Sequence, residues 1–272
     1  MKKVYTNVWR LIDKIDDNAG MQMAIDEAIA ISCSKGKSLP TLRFYTFEPA
    51  GITIGYHQKS NNFDFDEINR KGFGFVRRMT GGTAVLHKDD LVYALIIPED
   101  FLPLKIVDAY KYLSEGLILG LNNLGLNSYK RNKSSKRRED SCYLNENPYD
   151  VVVSDKKISG NAQARINGIV LQHGTIITKN NISELLDCII LQSENRKILL
   201  NESLKKITSI EDELQKSISL KGLENEMRCG FEKLFREKGI VLKRGTLSDY
   251  ELNLAKKLYD EKYSRDNWNY FL

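Results

Sequence analysis

The chain has 272 residues, of which 42% are hydrophobic, 28% are charged and five are proline. This composition is typical of a globular protein with a substantial core and excludes disorder over most of the length. The apolar runs are too short to span a bilayer, and no apolar run follows the charged start 1–5. We therefore expect no membrane segment, no signal peptide and a cytoplasmic location. The formal net charge of +5 suits either nucleic acid or acidic protein partners.

Strands are predicted where β-branched or aromatic runs are bounded by Gly, Pro, Asn or Asp. Several of these runs follow one another without a helix between them, which favours a mixed, mostly antiparallel sheet. In chain order they cover residues 42–47, 52–55, 73–77, 91–97, 149–153 and 169–177.

Two helices are predicted within this β-rich part. The first covers 21–31 after Asp17 and Asn18, which are suitable N-cap residues. The second covers 107–124 and ends at Gly125, a typical C-terminal cap. Apolar residues recur along the second helix at three- and four-residue steps, so this stripe is predicted to face the core. The stripe consists of Ile106, Tyr110, Leu113, Leu117, Leu121 and Leu124.

The last third of the chain changes to charged, helical sequence. Leu223, Met227, Phe231 and Leu234 form an apolar face that ends before Gly239. Ser248 and Glu251 have the spacing of a capping box, which predicts a helix to about residue 263. We therefore divide the chain into a catalytic domain, 1–185, and a helical C-terminal extension packed on it, 186–272.

Three segments have the residue types of a binding or catalytic site. Segment 77–87 (RRMTGGTAVLH) places Gly81 and Gly82 between two strands, which suits close approach to a ligand or an ordinary hairpin turn. It is neither a Walker A loop nor a GxGxxG fingerprint. Segment 155–163 (DKKISGNAQ) has the composition of a polar turn with exposed lysines. In segment 170–176 (VLQHGTI) a His and a Gly interrupt a buried strand, where a structural histidine is the common case. No segment is decisive alone.

Together, in this order, the segments resemble the family of lipoate- and biotin-type acyl-protein ligases and transferases. The family patterns are RR-x-[ST]-GG-x-x-V-x-H, K-[IVL]-x-G-x-A-Q and H-G-[ST]. Segments 9–10, 23–28, 43–45, 55–58 and 262–269 are similar to other parts of the family. The resemblance implies an α/β (α+β) fold, with a mixed sheet flanked by helices, related to class II synthetase catalytic domains.

The resemblance also implies the site. Lys157 is the expected catalytic lysine, without a metal or a bound cofactor; ATP and Mg²⁺ would be needed only by a ligase. The residues expected to bind substrate are Arg77, Arg78, Gly81, Gly82, Thr83, His87, Ser159, Gly160, Gln163, His173 and Gly174.

Cys142 decides between the chemistries within the family. The segment 141–150 (SCYLNENPYD) is similar to the branch of cysteine-dependent octanoyltransferases, as is 87–93 (HKDDLVY). Thr83 and Lys88 depart from that branch, which usually has Arg and an acidic residue there. Two interpretations stay open, in which Cys142 is the nucleophile or takes no part in the reaction. The other cysteines, Cys33, Cys188 and Cys229, are widely separated, so neither a zinc site nor a disulfide framework is predicted.

A basic run at 130–138 (KRNKSSKRR) lies just before Cys142. Positive charge lowers the pKa of a nearby thiol and attracts acidic carrier domains, but such a run is also typical of a solvated surface. It has no interleaved aromatic residues, which argues against nucleic acid.

The function expected from these features is transfer of an octanoyl or lipoyl group in protein lipoylation. The group would pass from acyl carrier protein, through a Cys142 thioester, to a lysine of a lipoyl-domain or glycine-cleavage H-type acceptor. Lys157 would hydrogen-bond the acyl carbonyl. The alternatives are an ATP-dependent lipoate–protein ligase and, from another class, a non-catalytic basic binding protein, for example one that binds RNA.

Overall fold

The computed structural model describes residues 7–131 and 149–271. Cys142 and residues 132–138 of the basic run lie outside these ranges. The strands are β1 (Val8–Asp17), β2 (Thr41–Phe47), β3 (Gly51–Ile54), β4 (Gly74–Arg77), β5 (Val85–His87), β6 (Leu91–Pro98), β7 (Ser128–Lys130), β8 (Val151–Val153), β9 (Lys156–Ile166), β10 (Ile169–Ile176) and β11 (Val241–Arg244). The helices are α1 (Ala19–Ser34), α2 (Phe65–Arg70), α3 (Ile106–Asn123), α4 (Ile182–Asp187), α5 (Ser193–Lys206), α6 (Ile210–Leu214), α7 (Leu220–Arg236), α8 (Asp249–Leu258) and α9 (Asp266–Asn269).

Eight strands form the main sheet, in the order β11-β1-β2-β6-β10-β9-β8-β7. The pairs β11–β1 and β1–β2 are parallel. The five pairs that follow along the sheet, from β2–β6 to β8–β7, are antiparallel. A second sheet has the order β4-β3-β5, with β4 parallel and β5 antiparallel to β3. The predicted mixed, mostly antiparallel sheet flanked by helices is confirmed.

Helices cover both faces of the main sheet. One face packs with α3 and α7 around Phe231 and the buried leucines of α3, and the other packs with α1 and α8. A third apolar cluster joins the small sheet to α4. Because β6 is buried from both sides, its sequence is almost continuously apolar, whereas β2 and β10 are equally central but carry buried polar residues such as Arg43 and His173.

Local signals located α1, α3, α7 and α8. Asn18 caps α1 by accepting from the Met21 N–H, and Ser248 with Glu251 forms the capping box of α8. Gly125 follows α3 with a φ of 88°, as a C-terminal cap requires. The apolar stripe of α3 is buried except at its ends, where Ile106 is 55% exposed.

Helices α3 and α7 cross at backbone contact. A Cβ on Gly116 would lie 2.2 Å from the Phe231 ring, and a Cβ on Gly230 would lie 2.2 Å from the Gly116 carbonyl oxygen. Side chains larger than Gly at these positions would push the helices apart. The C-terminal third is therefore packed tightly onto the sheet, to which it also adds the edge strand β11, a strand that the sequence analysis missed. The division at residue 185 stays a prediction.

None of the helices in the described part of the chain is long and apolar enough to cross a membrane.

Candidate active site

Lys157 lies near the start of β9 and is only 4% exposed. Its Nζ is 3.0 Å from Oδ1 of Asp150, a fully buried carboxylate. The side chain lies over Gly160, since a Cβ there would be 2.6 Å from Lys157 Cε and 2.9 Å from Nζ. The interpretation of this segment as a turn with an exposed lysine is wrong for Lys157. The turn lies at Ser154 and Asp155, and the motif itself is a strand.

The motif around Gly174 lies beside the lysine motif on the neighbouring strand β10. Gly174 pairs with Asn161 of β9 and with Tyr93 of β6. A Cβ on Gly174 would lie 2.3 Å from Asn161 Oδ1 and 2.6 Å from the backbone carbonyl oxygen of Gly160, so only glycine fits. The Tyr93 hydroxyl donates to Asn161 Oδ1 (2.7 Å) and accepts from Gln172 Nε2 (2.7 Å). Oε1 of Gln172 in turn accepts from Gln163 Nε2 (2.6 Å). Burial raises the pKa of Tyr93, so its hydroxyl stays a donor.

The Gly81–Gly82 loop connects β4 to β5. These strands lie on opposite sides of β3, so the hairpin interpretation of the paired glycines is wrong. The loop packs against the end of β3, where a Cβ on Gly55 would lie 1.9 Å from the Gly82 carbonyl oxygen. Gly82 has a φ of 96°, which a side chain would strain.

Arg78 lies inside this loop and is 5% exposed. Its Nε donates to Thr80 Oγ1 (3.1 Å), and its NH1 donates to both the carbonyl and Oγ1 of Thr53 (3.1 Å each). Its NH2 donates to the carbonyl oxygens of Gly81 and Thr83 (2.9 Å each). The guanidinium thus holds the loop from its inner side.

His173 joins the loop to the main sheet. Its Nε2 is 2.7 Å from Thr80 Oγ1, and its Nδ1 is 3.1 Å from Oδ2 of Asp26 in α1. Asp26 is buried, accepts a hydrogen bond from the Tyr45 hydroxyl (3.0 Å) and lies 3.2 Å from Arg43 NH1. Burial lowers the pKa of His173 below 6.5, against the opposing effect of Asp26. The imidazole is therefore neutral at neutral pH.

His87 has equivalent contacts in the small sheet. Its Nε2 is 3.1 Å from Thr53 Oγ1, and its Nδ1 is 2.8 Å from Asp90 Oδ2. The Asp90 carboxylate also accepts from the Thr175 hydroxyl, and the His87 ring stacks on Phe47 at 4.2 Å between ring centroids. His87 is thus a buried residue that links the small sheet to β10.

Arg77 is fully buried and makes its contacts on the other side of β4. Its guanidinium donates to the carbonyl oxygens of Gly55, Tyr56 and Gln58 and to those of Trp268 and Asn269, at 2.6–3.1 Å. Burial lowers its pKa. These bonds hold loop 55–58 to the segment 268–269, and substrate contact by Arg77 stays a prediction.

The described residues that flank the segment containing Cys142 lie beside Lys157. The Arg131 N–H donates to the Asp150 carbonyl oxygen (2.9 Å), and Asp150 is the ion-pair partner of Lys157. Among the cysteines that the structure describes, Cys33 and Cys188 are buried, and burial raises the pKa of Cys188 to about 11. A high pKa leaves little thiolate at neutral pH, so Cys188 is a poor nucleophile.

A groove of about 550 Å³ lies further along the sheet, between the start of β9 and helices α4 to α6. Lys156, Ile182, Leu204 and Thr208 are among the residues that line it. None of the eleven residues predicted to bind substrate lines it, so the acyl chain is not assigned to this groove.

The order of the motifs and their convergence around β9 and β10 agree with one family. The family model described as the lipoyl protein ligase A/B catalytic domain matches residues 18–232. The chain belongs to this family. The lipoyl ligase and transferase resemblance inferred from the motifs is therefore confirmed.

Curated members of the lipoyl protein ligase A/B family are similar over almost their whole length. An octanoyltransferase LipM of Staphylococcus epidermidis is 35% identical, across 97% of this chain and 99% of the relative. An octanoyltransferase LipM of Clostridioides difficile is 37% identical, across 97% of this chain and 98% of the relative.

Solved structures of lipoate–protein ligases have the same fold. The bipartite lipoate protein ligase of Thermoplasma acidophilum, studied with its E2 lipoyl domain, has a TM-score of 0.79 and 26% identity; the match covers 96% of this chain and 95% of that one. A lipoate–protein ligase A bound with ATP has a TM-score of 0.78 and 26% identity, with 96% and 98% covered.

The structure brings some of the predicted site residues together around β9 and β10. Lys157, Gly160, Gln163, His173 and Gly174 lie on two paired strands, and Thr80 of the glycine loop contacts His173. Ser159 is fully buried opposite Ile176 of β10. Seven further side chains, none of them predicted as site residues, hold these residues in place, and all of them occur inside or beside the sequence motifs. They are Asp26, Thr53, Thr80, Asp90, Tyr93, Asp150 and Asn161.

Proposed function

We propose that this enzyme is an octanoyltransferase that passes an octanoyl group from acyl carrier protein to a lysine of a lipoyl domain. The observation that carries the proposal is similarity over 97% of the chain to relatives named octanoyltransferase LipM. Cys142, in a segment whose ends meet beside Lys157, supports it.

The reaction would take place in two acyl transfers. The Cys142 thiol loses its proton, and the thiolate attacks the carbonyl carbon of the donor thioester. The carbonyl–sulfur bond to the carrier breaks, and the carrier leaves as a thiolate that takes up the proton lost by Cys142. The acceptor lysine then attacks the Cys142 thioester as a neutral amine. An amide forms, the amine loses a proton and the Cys142 thiol is regenerated. Each step conserves the acyl group without an oxidant or a nucleotide.

Lys157 would stabilise the negative charge that develops on the acyl oxygen in both steps. An ammonium group in a buried site interacts strongly with such an oxyanion because little water screens it. The ion pair with Asp150 at 3.0 Å holds the lysine in place, and Gly160 leaves the space in which the side chain lies. The neighbouring strand β10, at Gly174, would form the opposite wall of the acyl site.

The acceptor is proposed to be a lipoyl domain because a structural neighbour, the Thermoplasma acidophilum ligase, was studied with its E2 lipoyl domain. The donor is proposed to be acyl carrier protein because a carrier thioester is already activated. The basic run 130–138 has the charge that an acidic carrier domain would require.

A lipoate–protein ligase is the second candidate, since a ligase bound with ATP has a TM-score of 0.78 to this chain. Formation of an amide from a free acid is uphill in water, so that reaction requires ATP. In that case Lys157 would contact the acyl-adenylate.

Both candidates are tested by supplying each acyl source separately. The protein is incubated with a lipoyl domain and either octanoyl carrier protein without ATP, or free lipoate or octanoate with ATP and Mg²⁺. Mass spectrometry follows the acceptor and the enzyme. We expect octanoylation from the carrier, with an octanoyl adduct on the enzyme itself. Modification only from the free acid with ATP would refute the transferase and leave the ligase.

A further inference from the structure

We propose that Arg78 is a positioning residue, from which two parallel Arg–Thr–His–Asp hydrogen-bond chains fix both buried histidines and the Gly81–Gly82 loop. The chains run from one guanidinium into different parts of the fold. The assignment concerns the architecture of the site, and only its effect on acyl transfer rests on the proposed function.

The direction of the first chain follows from its two ends. An ionised carboxylate only accepts, so His173 Nδ1, 3.1 Å from Asp26, carries the proton of the neutral ring. Nε2 of the same ring is then an acceptor. Arg78 Nε only donates, so Thr80 Oγ1 accepts from it and turns its own hydrogen to His173 Nε2 at 2.7 Å. Each hydrogen atom in this hydrogen-bond chain therefore has a single acceptor.

The second chain repeats this logic in the small sheet. Asp90 Oδ2, 2.8 Å from His87 Nδ1, fixes the proton on Nδ1. Arg78 NH1 donates to Thr53 Oγ1, and the Thr53 hydroxyl donates to His87 Nε2 at 3.1 Å. Thr53 is 2% exposed and Thr80 is 1% exposed, so water does not replace these bonds.

The third nitrogen of Arg78 shapes the loop itself. Its NH2 draws the carbonyl oxygens of Gly81 and Thr83 inward. In a trans peptide the N–H of the next residue points opposite to the carbonyl, so the Gly82 N–H points away from the guanidinium. Gly82 itself is exposed, whereas Arg78 is 5% exposed. Arg78 thus acts on a ligand through the backbone and the histidines, and not by direct contact.

The chains are tested by the tautomers of the histidines in ¹⁵N-labelled protein. Long-range ¹H–¹⁵N spectra distinguish Nδ1–H from Nε2–H rings. We expect His87 and His173 to have the proton on Nδ1, and the exposed His57 provides an internal reference. A proton on Nε2 in either buried ring at neutral pH would overturn the inference.

Two isosteric substitutions separate the chains. Thr80→Val should move the Nε2 resonance of His173 and leave that of His87 unchanged. Thr53→Val should do the reverse, and Arg78→Gln should move both. Each single variant is therefore the control for the other, and either keeps the test valid if Arg78→Gln does not fold. Unchanged spectra in both valine variants would refute the chains.

Acyl transfer provides a second readout. We expect Arg78→Gln to lower kcat/KM by about 100-fold, as displacement of a site loop by an ångström does. Arg78→Lys keeps the charge but not the five donors of the fork, so it should lose nearly as much activity. Recovery of most activity in Arg78→Lys would show that the charge of Arg78, and not its hydrogen-bond geometry, is what the reaction needs. Absence of transfer by the wild-type protein would contradict the proposed function without changing the NMR result.

Discussion

Replacement of Gly160 by alanine should damage catalysis with little loss of stability. A Cβ at this position would lie 2.6 Å from Lys157 Cε and 2.9 Å from its Nζ. Carbon atoms in contact are normally about 3.5–4.0 Å apart, so the end of the lysine has to retreat by about 1 Å. A displacement of this size at the reacting groups costs about 100-fold in rate, or about 2.7 kcal/mol in the barrier. The lysine end is flexible, so the fold absorbs the methyl group.

Gly222→Ala is the control, because Gly222 lies near the start of α7, outside the predicted site, and an added Cβ there would lie 3.1 Å from Ser219 Oγ and 3.7 Å from Ile218 Cγ1. We expect its stability to change by about 1 kcal/mol or less and its transfer rate to stay within about threefold. The assay is octanoyl transfer from carrier protein to a lipoyl domain, alongside urea unfolding of both variants. Equal transfer rates in the two variants would refute the placement of Lys157 over Gly160. A large loss of stability in Gly160→Ala would refute the expectation that the fold absorbs the methyl group.

Three further predictions follow from the chemistry, the titration and the packing. Cys142→Ala should abolish both transfer and the acyl-enzyme adduct in intact-mass spectra, whereas Cys229→Ala should keep both. Burial lowers the pKa of His173 below 6.5, so the unfolded chain takes up a proton before the folded protein does as the pH falls. We expect the unfolding free energy to fall below about pH 6.5, more steeply than in His173→Gln, in urea titrations at several pH values. Gly230→Ala should cost about 1–3 kcal/mol of unfolding free energy because its methyl group meets backbone of the facing helix, whereas Gly222→Ala, near the start of the same helix, should gain up to about 1 kcal/mol.

Much of the fold could be predicted because its signals are local. The apolar stripe of α3, the glycine that ends it and the capping box of α8 are all encoded within a few residues. Strand β11 could not be found in this way, because its short, exposed sequence becomes a strand only by pairing with β1. The same limit explains the hairpin error, since β4 and β5 are joined by a glycine turn but each pairs with β3.

The site was predicted in its motifs and not in its internal contacts. Lys157, His173 and Gly174 were selected because their order along the chain matches a family. The adjacent residues Arg77 and Arg78 look equivalent in the sequence, yet their guanidinium groups have entirely different partners. Those partners depend on contacts with residues as far as 191 or 192 positions away, which no local pattern contains.

The contacts of Arg77 also set an order of events during synthesis of the protein. A ribosome adds about 5–20 residues per second, so Trp268 follows Arg77, 191 positions earlier, after about 10–40 s. During that interval Arg77 can bind the carbonyl oxygens of loop 55–58 but not those of Trp268 and Asn269. The support behind that loop is therefore completed only when the α9 segment emerges and docks.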